Sequence, residues 1–160
     1  MSKRYRDDDI SKYTDITTIS KVHDLFVRYN KIHTVTLIME DLWDSRGVWE
    51  WVTTTPGLDI ALHGWRHVDY SKMYQEDVFN HIKISLDHWN VNLARLGKAI
   101  PLKIMYPPWN ASSQCLVDTC AHFGLVVNTD IDTSRVVNIH WWEYIEGRNL
   151  NKLEEILKND

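Results

Sequence analysis

Three carboxylates in succession, Asp7, Asp8 and Asp9, follow a short run of basic and aromatic residues, Lys3-Arg4-Tyr5-Arg6. Adjacent carboxylates repel one another, and a strand seldom ends in three of them without a compensating cation. Two imidazoles, His63 and His67, stand four apart in His63-Gly64-Trp65-Arg66-His67. If the chain turns helical there, both face one way, about 6 Å apart, which suits a single metal ion. A His-x-x-x-His spacing alone is equally met by two solvated loop histidines, and the acidic triplet is what strengthens the metal reading. Two histidines and a carboxylate around an ion with open positions make a hydrolytic centre, and a second carboxylate beside it can serve as base. His140 closes the apolar run Val136-Val137-Asn138-Ile139 and precedes Trp141-Trp142. In that company it is a candidate general acid.

These groups need elements to position them. The chain of 160 residues is read as one domain over 1–160. Strand patterns fall at Lys3 to Asp7, His33 to Met39, Leu58 to Leu62, Leu102 to Tyr106, Leu125 to Asn128 and Val136 to His140. Helical spacing places Ile16, Ile19, Val22, Phe26 and Val27 on one stripe behind a cap at Thr14 or Asp15. It predicts further helices over Ser45 to Val52, over Gln75 to Leu96, from Ser112 or Ser113 to Phe123, and from Asn149 or Asn151 through Leu157. Strands alternating with helices predict an α/β fold with a mainly parallel sheet. A full eight-unit barrel takes about 250 residues, about 200 at the low end. Six strands therefore predict an incomplete or distorted (β/α) barrel, with an open doubly wound sheet as the alternative. Polar residues gather where five of these strands end: at Asp7-Asp8-Asp9, His63 to His67, Tyr106 to Asn110, Asn128 to Asp132, and His140 to Trp142. That edge is where sites form in parallel α/β folds.

Composition narrows the function. Eighteen Lys and Arg against 22 Asp and Glu give a net charge of −4, which argues against a phosphate-driven nucleic-acid binder or a polybasic membrane module. No run approaches the roughly 20 apolar residues of a membrane span. The first nine residues lack the apolar stretch of a signal peptide. Cys115 and Cys120 sit about 140° apart on a helix and read as free thiols of a cytoplasmic protein. Of the eight Trp and eight His, Trp65, Trp109, Trp141 and Trp142 fall beside the strand ends. Trp43, Trp49, Trp51 and Trp89 read as structural. His23, His33, His81, His88 and His122 have no assigned role.

The ordered motifs resemble the NodB-type polysaccharide deacetylases, carbohydrate esterase family 4, and most of all the shorter WbmS-like branch. The resemblance runs from about Arg4 to Trp142. Its elements are Arg6-Asp7-Asp8-Asp9-Ile10, His63 to His67, the turn Tyr106-Pro107-Pro108-Trp109 and the strand end Asn138-Ile139-His140. It implies removal of an N-acetyl group from an amino sugar or polysaccharide precursor, with a divalent metal, usually zinc, on one aspartate and two histidines. Aligned on Asp-Asp-Ile, Asp8 is the base and Asp9 joins His63 and His67 as ligand. Aligned on the arginine before the pair, Asp7 is the base and Asp8 the ligand. The first register is preferred for its Arg-x-Asp-Asp spacing. His140 would protonate the departing amine, and a backbone N–H near Tyr106 would help hold the oxyanion. Arg6, Tyr106, Pro108, Trp109 and Trp142 would contact the sugar. The family's turn begins with an arginine that steadies the base. Tyr106 stands there instead, leaving Arg6 or Arg66 to replace it. The expected partner is an N-acetylated sugar or polysaccharide, with no nucleic acid and no membrane span. One alternative is an inactive deacetylase-like carbohydrate-binding protein. A phosphoester hydrolase is less attractive, because no basic cluster lies near the strand ends.

Overall fold

A computed structural model describes residues 3–160. The apolar and β-branched runs form strands β1 (Arg4–Ile10), β2 (His33–Ile38), β3 (Leu58–Gly64), β4 (Ile104–Met105), β5 (Val126–Val127) and β6 (Val136–His140). Helices α1 (Ile16–Arg28), α2 (Arg46–Thr54), α3 (Gln75–Arg95), α4 (Gln114–His122) and α5 (Leu150–Asn159) fill the connections. Asp15 caps α1 by accepting the Thr18 N–H, and Ser113 caps α4 by accepting that of Leu116. The strands make one parallel sheet in the order β5-β4-β3-β2-β1-β6. It is an incomplete barrel, because β5 and β6 are its two unjoined edges. No helix among the described residues is long and apolar enough to cross a membrane.

Side-chain alternation gives the sheet two unlike faces. Tyr5, Val35, Leu37, Leu62, Met105 and Ile139 point to the helices and are buried with Ile19, Phe26, Val78, Ile82 and Trp89. Arg6, Asp8, Thr34, Thr36, His63, Tyr106, Asn138 and His140 take the opposite, inner face. The core therefore lies on one side, which leaves the concave side to polar chemistry.

Several boundaries differ from the expected ones. β1 runs through the acidic triplet to Ile10 instead of stopping at its first member, Asp7, while β4 and β5 shrink to two residues each. Val27, expected on the buried stripe of α1, is exposed. The segment after β3 is a bend, not a helix, so a loop brings His67 back toward His63.

Two register shifts matter most. Between Asp7 and Ile10, β1 carries one residue more than β2 opposite it, and between Leu62 and Gly64, β3 carries one more than β2. Each is a bulge, which bends a strand and re-aims a side chain. The first puts Asp9 at φ 66°, so the triplet's last carboxylate leaves the strict alternation. The second places His63 beside Gly64, whose φ is 137°. A Cβ on Gly64 would sit 2.9 Å from Tyr70 Cε2. Tyr70 is fully buried, and its hydroxyl accepts the Trp65 N–H at 3.0 Å. Gly64→Ala is thus expected to cost about 2–3 kcal/mol through overpacking and backbone strain. Urea denaturation checks this: an unchanged midpoint would show that Tyr70 gives way.

Candidate metal centre

Asp9 Oδ1 lies 3.3 Å from His63 Nε2 and 3.2 Å from His67 Nε2. One ligand atom from each of the three residues falls within 4.8 Å of the others. On the far side of its ring, His63 Nδ1 lies 2.6 Å from the Tyr106 carbonyl oxygen. A carbonyl only accepts, so Nδ1 carries the proton, and in the neutral ring Nε2 presents a lone pair to Asp9. Asp9 Oδ1 is itself buried and without a hydrogen-bond partner. Acceptors facing one another across 3.3 Å are unfavourable unless a cation or proton lies between them. A nitrogen, nitrogen and oxygen donor set, with one histidine oriented from behind by a carbonyl, fits a divalent metal such as zinc. Once protonated, the two imidazoles would instead outweigh the effect of burial on Asp9, holding its carboxyl well below the usual range. Asp9 in turn raises His67.

Asp8 faces the same concave side as His63. Its Oδ2 takes the Arg6 Nη2 at 2.8 Å and Nε at 3.1 Å, and its Oδ1 accepts the Thr36 hydroxyl at 2.9 Å. Arg6 also donates from Nη1 to Asn110 Oδ1 at 3.0 Å and lies 4.8 Å over the Tyr106 ring. An arginine from β1 thus holds Asp8, with Tyr106 as its aromatic floor. Arg66 is turned outward to Glu40 and plays no part. Arg6, Tyr106 and Pro108 were expected to touch substrate. All three are buried, with Arg6 held between Asp8, Asn110 and the Tyr106 ring. Nor can the Tyr106 N–H hold an oxyanion, because it donates to the Leu62 carbonyl, and Pro107 and Pro108 have no N–H. Trp109 and Asn110, at φ 52° and 55°, are consecutive left-handed residues, a strained pair of the kind that clusters at functional sites. They turn the Trp109 ring edge-on to His67, 4.3 Å between centroids, and leave it exposed.

His140 stands opposite, its Nε2 3.9 Å from Asp9 Oδ2. Its N–H donates to Glu143 Oε2, and its ring stacks on exposed Trp142 at 4.8 Å. Trp141 is buried and donates its indole N–H to the Asp9 carbonyl at 3.3 Å. Trp65 packs with Trp43 and His88 beside the core. Only Trp109 and Trp142 of the four expected tryptophans therefore offer an open face beside the three donors.

Asp7 lies on the helix side and does not join the His63–His67 pair. Its Oδ1 accepts the Trp141 N–H at 2.8 Å, and its Oδ2 meets His33 Nε2 at 3.3 Å. His33 Nδ1 lies 3.2 Å from His23 Nδ1, whose Nε2 lies 3.2 Å from the Pro56 carbonyl. Hydrogen-bond directions follow from that last acceptor. His23 donates to Pro56, so its Nδ1 accepts from His33. A neutral His33 then accepts at Nε2, which leaves Asp7 to donate as the acid. Burial supports the same assignment, raising Asp7 well above the carboxylate range and pushing His33 down to about 3. His23 is lowered too, chiefly by burial. Sequence reasoning gave these two histidines no role, since the helix and strand positions of a single chain do not reveal a contact between side chains ten residues apart.

A pH dependence follows. His23 and His33 stay neutral in the fold, so the stability tied to them is full above their unfolded pKa of about 6.5 and lost as pH falls toward about 3. Asp7 has the opposite sign: its contribution is full below about 3.8 and falls as pH rises toward its elevated value. Urea midpoints are expected to peak near pH 6.5 and drop on the acid side. A midpoint that holds steady from pH 6.5 to 5 would contradict the neutral pair.

No protein-family model matches the chain, and no curated protein does. Solved structures do. A CE4 family pseudoenzyme from Bacillus anthracis aligns at TM-score 0.74 and 8% identity, over 98% of this chain and 60% of its own. A peptidoglycan N-acetylglucosamine deacetylase aligns at 0.71 and 16%, over 99% and 82%. A family 4 acetyl xylan esterase from Clostridium thermocellum, solved with a cobalt ion, aligns at 0.69 and 18%, over 98% and 81%. The chain spans 60% of the pseudoenzyme's length. The fold is that of the NodB-type carbohydrate esterases of family 4, the distorted barrel that the motif order implied.

Proposed function

We propose that the protein is a metal-dependent hydrolase that removes an N-acetyl group from an amino sugar or a polysaccharide precursor. The observation that carries this is the set of acceptors, His63 Nε2, His67 Nε2 and Asp9 Oδ1, converging beside a second carboxylate already paired with arginine. A divalent ion held by these residues, zinc in this reading, would supply Lewis acidity toward a carbonyl oxygen and water. Asp8 is the base. The Arg6 fork and the Thr36 hydroxyl fix its orientation, and its remaining lone pairs can take a proton from water. Asp9 rather than Asp8 is the ligand, because it is Asp9 that the bulge turns toward the imidazoles. His140, on the rim with its ring partly open, donates a proton to the departing amine. Trp109 and Trp142 flank the centre and offer flat faces to a sugar. Two free thiols accord with a cytoplasmic setting.

A second reading is glycan binding without turnover. Tyr106 in the place of the family's arginine favours it, as does a pseudoenzyme among the structural neighbours. Incubation with N-acetylglucosamine oligomers and zinc or cobalt, scored for acetate, decides. Acetate is expected, and its absence with every divalent metal would overturn the hydrolase.

A further inference from the structure

His140 closes a strand that the sheet supports on one side only. Among the described residues β6 is bonded to β1 and to no other strand. Beyond His140 the chain turns into a 3₁₀ helix over Trp141–Gly147, whose first N–H groups have no partner within the turn itself. Two carboxyl groups hold the main chain at this corner. Glu143 Oε2, on the partly exposed rim, accepts the His140 N–H at 3.0 Å. Asp7 Oδ1, from within the core, accepts the Trp141 N–H at 2.8 Å. The peptide groups on either side of the His140 Cα are thus both fixed, and its ring is left 3.9 Å from Asp9 Oδ2.

The inner clamp has a support of its own. The side chains of Asp7 and His33 are completely buried. His33 Nε2 meets Asp7 Oδ2 at 3.3 Å, and Phe26 stacks on the His33 ring, 4.3 Å between centroids and within 3° of parallel. His23, tied to the Pro56 carbonyl, holds the other edge of that ring. With one oxygen committed to His33, Asp7 has the other to aim, and it is aimed at Trp141. Stability alone does not explain these groups, because an apolar pair of the same shape can be about as stable in a core. What the polar pair adds is direction. A hydrogen bond fixes where the Trp141 N–H must sit, and an apolar contact would not.

We propose that Asp7 and His33 are positioning residues, which fix the main chain at Trp141 and so hold the His140 imidazole beside the metal centre. The inference rests on the hydrolase reading for its reaction, and its test separates the two. Asp7→Leu keeps the branched shape of the side chain and removes both hydrogen bonds. It is expected to lower kcat about a hundredfold, the scale of a misplaced catalytic group, with KM little changed. Asp7→Asn should recover most of that loss, since its amide oxygen can accept from Trp141 and its N–H can donate to His33, as the acid does. His33→Phe keeps the stack on Phe26 and loses the acceptor. It should fold and lower kcat in the same direction, and it carries the test if Asp7→Leu does not fold. A parent-like kcat in folded His33→Phe overturns the inference, as does an Asp7→Asn as slow as Asp7→Leu. A second readout needs no turnover. In metal-free protein the Trp141 amide should exchange faster, and the His140 ring signals should move, in Asp7→Leu and His33→Phe and much less in Asp7→Asn. Those changes without acetate from the parent protein under any metal would uphold the positioning and sink the hydrolase. Acetate release with unmoved His140 signals would sink the positioning and leave the hydrolase.

Discussion

Replacing His63 with alanine is expected to lower affinity for zinc or cobalt by more than about a hundredfold and to end acetate release. The magnitude follows from rank. Removing a group that merely orients a ligand costs about 10- to 100-fold, and His63 would be the ligand itself. It is the most buried of the three donors, and its far nitrogen is fixed by the Tyr106 carbonyl at 2.6 Å. The alanine variant should fold, since it also removes an unfavourable meeting of acceptors near Asp9. Equilibrium dialysis against cobalt, with the visible spectrum as a check on geometry, measures the effect. Full metal occupancy in the variant would mean that the centre lies elsewhere.

Arg6→Ala should be the most damaging change to the fold. Asp8 is buried, and Arg6 supplies two of its three hydrogen bonds. Stripping one member from a buried pair costs about 3–5 kcal/mol, because the other charge is left unmatched. Arg6→Lys restores charge but not the fork, so it should recover part of the stability and less of the turnover. Asp8→Asn tests the other partner. It should reduce kcat by about 10²- to 10⁴-fold, the usual worth of a positioned base, while metal content stays intact. Loss of metal in Asp8→Asn would instead make Asp8 the ligand and Asp7 the base. The position of Asp7 argues against that outcome, since it is buried on the helix side and committed to Trp141 and His33.

How much of this was legible in the sequence depended on how local the cause was. Helix caps, the strand at Val136–His140 and the parallel order are governed by neighbouring residues, and the pattern of polar and apolar positions carried them. The gathering of polar residues at strand ends followed from the topology. The bulge in β1 was invisible, because Asp9 is not a glycine and nothing local announces an inserted residue, whereas Gly64 was the one local hint of the bulge in β3. Long-range polar contacts were equally hidden. Arg6 could be named as a stand-in for the absent arginine, but so could Arg66, and only folding shows that one meets Asp8 and the other Glu40. The same limit explains Tyr106 and Pro108. Their motif suggested contact with substrate, whereas the Tyr106 ring lies under Arg6, Pro108 is buried, and Tyr106 meets His63 through its backbone carbonyl.

The bulge in β1 also makes function and foldability separable at the level of a single codon. Asp7 pairs with Val35 and Ile10 with Leu37, so β1 spends three steps where β2 spends two. An in-frame deletion of Asp9 would remove the surplus step and leave Ile10 in its buried slot against Leu37. The ladder would become more regular, and the molecule would still collapse around the same apolar core. Yet no carboxylate would reach the two imidazoles. Under the proposed function, that single deletion would leave a folded chain without its metal site, a path to inactivity that stability alone would not select against.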